Sequence, residues 1–353
     1  MSRLNPLRLI VPTALVVVAA CQDTTTPLAP VAARVTPSAY APQQVQRWFD
    51  LMAREGLALP GTVLADYDET TNRVVVGVEH AAARANIRAL AARLGVPAEV
   101  LVIREMEPIR LVQTLRDRVD PRIGGIQIHF GNFLCSMGFN AVDGTQASFV
   151  TASHCTNKQG GVEGTVYYQP LQSVDGVSIG TEVEDPPYRR NIAGCPHTKK
   201  CRTSDASRAA YNPGINSALG QLAKTAASSP NTGSIDLDLN GSITLSGGDL
   251  RDHFGIGETM NKVGRTTGWT QGTVTATCAT VNVSGSNITQ ICQTIVENSV
   301  QIVGAGDSGS PVYTSGNALA GVLWGGNSSG TLLVFSPLKN VDDELGSLQV
   351  TTP

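Results

Sequence analysis

The chain has 353 residues, more than one hydrophobic core usually serves, so two or three folded units are expected. Charged residues make up only 16%, glycine (36) and proline (19) are plentiful, and an aromatic content of 5% makes any core mainly aliphatic. A net charge of −3 gives no electrostatic case for nucleic acid or for an anionic membrane surface.

Residues 1–20 read as an export signal. Arg3 and Arg8 precede an apolar run from Leu9 to Ala20, broken by Pro12 and Thr13 and too short to span a bilayer. It ends Val18-Ala19-Ala20-Cys21, and small residues before a cysteine resemble the lipobox of bacterial lipoproteins, which implies lipidation of Cys21. The alternative is an ordinary signal peptide with an incidental cysteine. Residues 21–41, rich in Thr, Pro and Ala, read as an exposed linker.

From residue 42 the texture changes. Gln43 to Glu55 is helical, with Val45, Phe49 and Met52 on roughly one face, and Val74 to Val78 is a strand. Ala81 to Leu94 is a second helix with Ile87, Leu90 and Leu94 at core spacing, and Val100 to Ile103 a second strand. This is a small β-α-β-like unit, followed by a linker to residue 122. Arg116, Arg118 and Arg122 around Pro121 suit an exposed cleavage zone. An uncut linker is the other reading.

From about Ile123 the pattern is all-β. Short runs such as Ile126–Ile128, Thr165–Tyr168, Gly272–Thr277 and Ala318–Leu323 are separated by Gly, Asn, Asp and Ser, as in a sandwich or barrels. Setting Cys21 aside, six cysteines fall into sequence-local pairs: Cys135 with Cys155, Cys195 with Cys201, Cys278 with Cys292. In an exported chain these indicate three disulfides, although six cysteines allow about fifteen pairings. No two have the tight spacing of a zinc knuckle, and no metal or cofactor is expected.

Two motifs carry chemistry. Gly304-Ala305-Gly306-Asp307-Ser308-Gly309-Ser310-Pro311 presents a serine on a glycine-rich turn. A serine hydroxyl needs a base to take its proton, and acyl transfer needs N–H donors aimed at an oxyanion; Gly306 and Ser308 N–H would be those donors. Thr151-Ala152-Ser153-His154-Cys155, at the end of an apolar strand, supplies the base. A buried acid must orient it. Candidates between the two include Asp175, Asp185, Asp205, Asp236, Asp238 and Asp249; Asp205 has small neighbours suited to burial, whereas Asp236 and Asp238 alternate with Ile235, Leu237 and Leu239 as on a polar strand face. His80, His129, His197 and His253 have no such setting.

Thr-Ala-Ser-His-Cys, Ser-Asp-Ala-Ser and Gly-Asp-Ser-Gly-Ser-Pro, in that order, resemble the chymotrypsin superfamily. Lys262-Val263-Gly264-Arg265-Thr266-Thr267-Gly268-Trp269-Thr270-Gln271-Gly272-Thr273-Val274 narrows the resemblance to the bacterial streptogrisin and α-lytic endopeptidases, which carry an N-terminal pro-region of small α/β units. The motifs span roughly residues 123–340; the pro-region resembles only in texture. The resemblance implies two six-stranded β-barrels with the site between them, and makes His154 the general base, Asp205 its orienter, Ser308 the nucleophile, and Gly306 with Ser308 the oxyanion hole. Residues 42–122 become a pro-region with its linker, a cis inhibitor and folding aid, and 123–353 a protease domain acting as a monomer on polypeptides. The primary pocket would use Trp324, Gly325 and Gly326, with Ile302 and Val303 near its base and Leu332, Leu333 and Val334 opposite, and so favour apolar residues. One departure stands out: the family usually has a small hydroxyl residue before that tryptophan, and here it is Leu323.

Chain order separates other serine hydrolases. An α/β-hydrolase needs its histidine after the serine, and the last histidine is His253; a subtilisin-like order needs an acid before His154, and Asp120 and Asp143 sit in no recognisable setting. A catalytically silent peptide-binding relative and a serine esterase on the same fold remain as alternative functions.

Overall fold

The computed structural model describes residues 38–352, so the export signal and Cys21 lie outside the described residues. The chain forms two compact units, Met1–Arg110 and Leu111–Pro353.

In the first unit a three-stranded sheet runs Thr62–Asp68, Arg73–Val78, Leu101–Glu105. The first pair is antiparallel; the second is parallel, with the helix Ala81–Arg93 as its crossover. Val74, Val76 and Val78 alternate onto one face and pack with Val45 and Met52 of the helix Pro42–Gly56 and with Ile87 and Leu90. Thr62–Asp68, the edge strand, was not expected from the sequence. From 106 to 113 the chain has no regular structure, and Ile109, Leu111 and Val112 are exposed.

The second unit is all-β. Its first sheet runs Phe133–Ser136, Gln127–Phe130, Val166–Tyr168, Ser178–Glu184, Ser207–Tyr211, Gln146–Thr151, Phe139–Asp143. The two end strands are consecutive in the chain, so they act as one bent strand that closes a six-stranded antiparallel barrel. Phe130, Phe139, Phe149 and Tyr167 fill it. The second barrel runs Ile288–Glu297, Gly268–Asn282, Thr259–Gly264, Pro311–Thr314, Ala318–Gly326, Leu332–Pro337 and returns to Ile288–Glu297, again six antiparallel strands. Met260, Val274, Val296, Val312, Leu323 and Phe335 are its core. All three local cysteine pairs are disulfides.

The stretch read as an exposed linker up to 122 is corrected. Leu115 and Val119 are buried in the barrel core, and Leu115 N–H donates to Ile235 O while Leu115 O accepts from Gln127 N–H. Arg122 is 3% exposed and begins a strand, Arg122–Gly124, parallel to Ser217–Thr225. Apolar side chains at 115 and 119 outweigh the basic ones, which turn outward at Arg116 and Arg118.

Candidate active site

His154 lies in a single 3₁₀ turn, Ser153–Cys155, directly after the strand Gln146–Thr151. Several contacts hold that turn. Cys155 is tied to Cys135, Tyr167 OH donates to Cys155 O (2.9 Å), and Ser153 Oγ donates to Asp185 Oδ2 (3.0 Å).

Asp205, 1% exposed, stands just ahead of the strand Ser207–Tyr211. Its Oδ1 accepts His154 backbone N–H at 3.0 Å and its Oδ2 meets His154 Nδ1 at 2.9 Å. The carboxylate therefore fixes both the turn and the ring, puts the proton on Nδ1, and leaves Nε2 as a lone-pair base. Burial pulls the imidazole pKa down, but the charge and hydrogen bond of Asp205 outweigh it and hold the value above the ordinary 6.5. Burial alone would raise Asp205; the His154 charge, its hydrogen bonds and the Arg202 charge keep it below the usual carboxylate range.

Four of the rival acids lie elsewhere. Asp185 pairs with Arg202 (2.6 Å), Asp238 with Lys224 (2.9 Å) and Asp249 with Arg251 (2.6 Å), while Asp236 is exposed beside Ser234.

Leu323, at the position where the proteases it resembles carry a hydroxyl, packs in the barrel core. The acid is supported differently here. Gln159 Nε2 donates to Asp205 Oδ2 at 3.4 Å, and Asp205 N–H donates to Ser336 Oγ at 2.9 Å. Ser336 Oγ in turn donates to Gln293 Oε1 (2.8 Å), which also accepts Trp324 Nε1–H (2.7 Å).

Behind this, the buried Arg202 bridges Asp185 and Glu344 (2.9 Å to the latter) with its guanidinium over Tyr188, and Glu344 accepts Thr203 N–H and Ser204 Oγ–H. The sequence reading missed Gln159, Arg202, Gln293, Ser336 and Glu344, whose partners are mostly far away in the chain.

Ser308 sits on the loop between Glu297 and Pro311, where Gly306 (φ +96°) and Gly309 (φ +87°) take conformations that favour glycine. Among the described residues, neither Gly306 N–H nor Ser308 N–H donates a hydrogen bond, and Ser308 Oγ has no partner. Free serine and base contacts are common before substrate tightens a site. The loop is pinned to the first barrel: Ser136 N–H donates to Ser308 O (2.8 Å), one residue from the cystine that holds His154.

Beneath it, Asp307 is fully buried and accepts from Gly304 N–H (2.9 Å), Thr266 N–H (2.9 Å) and Thr267 Oγ1–H (2.7 Å). Lys262, 1% exposed, faces it at 3.3 Å and also bonds Thr267 Oγ1. Its only sequence signal is its place in the Lys262–Val274 run.

Next to Ser308 a cavity of about 330 Å³ is lined by Gln301, Val303, Gly304, Gly325, Gly326 and Asn327, with no charged side chain on its wall. Val303, Gly325 and Gly326, proposed above for the pocket, are among these lining residues. Ile302 is not among them: it is fully buried in the second barrel's core cluster, to which Val303 also belongs. Trp324, with Leu332 and Val334, lines instead an adjoining groove of about 520 Å³ that holds His154, Gln159 and the 281–284 segment.

The other histidines lie elsewhere: His80 caps the helix Ala81–Arg93, His129 accepts Gln172 N–H, and His197 and His253 are exposed. His253 approaches the sulfurs of Cys278 and Cys292, which their disulfide withholds as thiolates.

No family model matches the chain. Among solved structures it is similar to Thermobifida fusca protease A, at 26% identity over 65% of this chain and 98% of that one, with a TM-score of 0.46. A Nocardiopsis protease shares 24% identity over 65% and 98%, with a TM-score of 0.47. Cellulomonas bogoriensis chymotrypsin shares 24% over 65% and 98%, with a TM-score of 0.44.

Proposed function

We propose that the chain is an exported serine endopeptidase in which Ser308 is the nucleophile, His154 the general base and Asp205 its orienter. The observation that carries this is the buried Asp205 carboxylate on Nδ1 of a histidine whose groove shares Gly325, Gly326 and Asn327 with the serine's pocket.

Ser308 Oγ attacks the scissile carbonyl carbon as its proton passes to His154 Nε2. The oxyanion takes the two unpaired N–H groups of Gly306 and Ser308. The intermediate collapses, the imidazolium proton goes to the leaving amine, and water then releases the acyl group by the same route. Asp205 stays ionised and stabilises the imidazolium. The pocket wall offers no counter-charge, so Lys, Arg or Glu side chains would lose several kcal/mol there; medium or large apolar residues before the cut fit it.

In this reading Cys21 is the lipid anchor, and the three disulfides suit an oxidising compartment. The first unit is a pro-region that aids folding and inhibits in cis, released within the exposed 106–113 segment. The mature enzyme is a monomer. The direct test is labelling with a fluorophosphonate and mass mapping of the adduct. An adduct on the Ser308 peptide, lost in Ser308→Ala, is the expected result; no adduct, or one elsewhere, defeats the proposal.

A further inference from the structure

Between Asp185 and Asp205 the chain has no acidic residue, yet it carries Arg189, Arg190, His197, Lys199 and Lys200. Arg189, Arg190, His197 and Lys200 are exposed and Lys199 is half-buried. None of the four Arg and Lys side chains has a carboxylate partner among the described residues: Arg190 reaches only Thr198 O (3.4 Å), and Lys199 only Ser286 O (3.0 Å). Most other cations of this unit, including Arg202, Arg208, Lys224, Arg251, Lys262 and Lys339, are paired. A chain of net charge −3 thus concentrates uncompensated positive charge in one loop.

The loop is held in place. Cys195–Cys201 closes it, and Arg189 and Cys201 exchange backbone hydrogen bonds of 3.0 and 2.8 Å. The strand Lys200–Arg202 pairs in parallel with Ile288–Gln290, and Lys200 N–H donates to Asn287 O. At its start, Tyr188 OH accepts from Gln159 Nε2 (3.0 Å) and Gln290 Nε2 (2.7 Å).

Those anchors are shared with the groove. Gln159 lines it beside His154, and Val281, Asn282, Val283 and Ser284, on the hairpin that carries Ser286 and Asn287, line its far wall. A polypeptide running from the pocket past Gly325–Asn327 along this groove would reach that hairpin, to which the end of the basic loop is hydrogen-bonded. The groove's one ionisable acid, Asp205, is already committed to His154.

We propose that the disulfide-closed loop 189–200 is an exosite for acidic side chains of a polypeptide substrate, upstream of the bond that is cut. This rests on the endopeptidase reading and adds a substrate class to it. Surface cations of this kind act on encounter and affinity rather than on the chemical step, and are screened by salt.

The test uses the enzyme produced from the full chain and quenched peptides with one common apolar residue before the cut. One carries three Glu three to six positions upstream, one has Gln there, and one has Lys. The Glu peptide should show about tenfold higher kcat/KM than the Gln peptide at low salt, mainly through KM, with the gain fading toward unity near 0.5 M salt. The Lys peptide should be poorest. In the Arg189→Gln/Arg190→Gln/Lys199→Gln/Lys200→Gln variant the Glu advantage should vanish while the Gln peptide turns over as in the parent, which also shows that the variant is folded.

Equal turnover of Glu and Gln peptides by the parent, or a Glu preference that survives the fourfold change, overturns the exosite and leaves the endopeptidase intact. Binding to phosphatidylglycerol vesicles that the variant loses, without any Glu preference, assigns the loop to a membrane surface and equally overturns it. Hydrolysis of no peptide, with no labelling of Ser308, removes the endopeptidase reading and the exosite with it.

Discussion

Replacing Asp205 by asparagine exchanges one oxygen for an NH₂ and removes one charge, in a site that has no room to hide the change. The side chain is 1% exposed, and one oxygen must still accept His154 backbone N–H at 3.0 Å. That fixes the amide: its oxygen stays on the backbone donor and its NH₂ faces Nδ1, where the carboxylate stood at 2.9 Å. Nδ1 is then forced to accept, the proton moves to Nε2, and the nitrogen that should take the Ser308 proton no longer can. A tautomer error of this kind costs about 10⁴ in kcat, or roughly 5 kcal/mol of transition-state stabilisation. The fold should lose far less, about 1–3 kcal/mol for one charge-assisted hydrogen bond, so the variant remains folded at 25 °C.

The acid limb provides a second readout. A base works when neutral, so activity appears as pH rises through the His154 pKa. In the parent Asp205 holds that pKa above 6.5 against burial; in the variant burial acts alone and the residual activity should begin at lower pH. The assay is kcat/KM against pH for one peptide, with Asp236→Asn, an exposed acid, as the control. If Asp205→Asn keeps more than about a tenth of the activity, or Asp236→Asn abolishes it, the assignment of the acid is wrong.

Four further perturbations have equally definite outcomes. Gly309→Ala should fold poorly and lose about 10² or more in kcat, because at φ +87° its Cβ would sit 2.2 Å from Thr151 Oγ1 and 2.3 Å from Ser136 O; Gly325→Ala, whose Cβ meets nothing within 4 Å, should fold normally and shift a peptide library toward smaller residues before the cut. Lys262→Met leaves the Asp307 carboxylate buried without its cation, so thermal melting should fall by about 10 °C and kcat should drop with KM nearly unchanged, while an unaltered melting temperature would show that the pair does not organise the serine loop. Residues 111–353 expressed alone should give little activity, rescued by adding the first unit in trans; full activity without it refutes the folding role.

What the sequence made legible was what is local in the chain. His154 and Ser308 could be singled out because each sits in a contiguous motif whose chemistry depends on its immediate neighbours, and the cystines join cysteines only 20, 6 and 14 residues apart. Alternation revealed strands but not how they close. The second barrel is completed by pairing Thr294 with Phe335, and nothing in either segment names the other. The same limit explains the misread pocket. Ile302 and Val303 are neighbours in the loop that leads to Ser308, and nothing local to them says that Val303 reaches the cavity wall while Ile302 stays wholly buried.

Arg122 looked like a cleavage signal because a charge at a boundary usually means solvent; it is buried because Leu115 and Val119 draw the chain into the barrel. The hydroxyl missing at Leu323 is the most instructive case. Its absence put Asp205 in doubt as the partner, yet Gln159, 46 residues away, donates to the Asp205 carboxylate, and Ser336, 131 residues away, accepts its backbone N–H. A buried carboxylate needs hydrogen-bond partners but does not specify which segment supplies them. A motif can therefore depart from pattern at one position while the physical requirement is met from another part of the fold, and substitution of Gln159 should weaken the site even though no motif contains it.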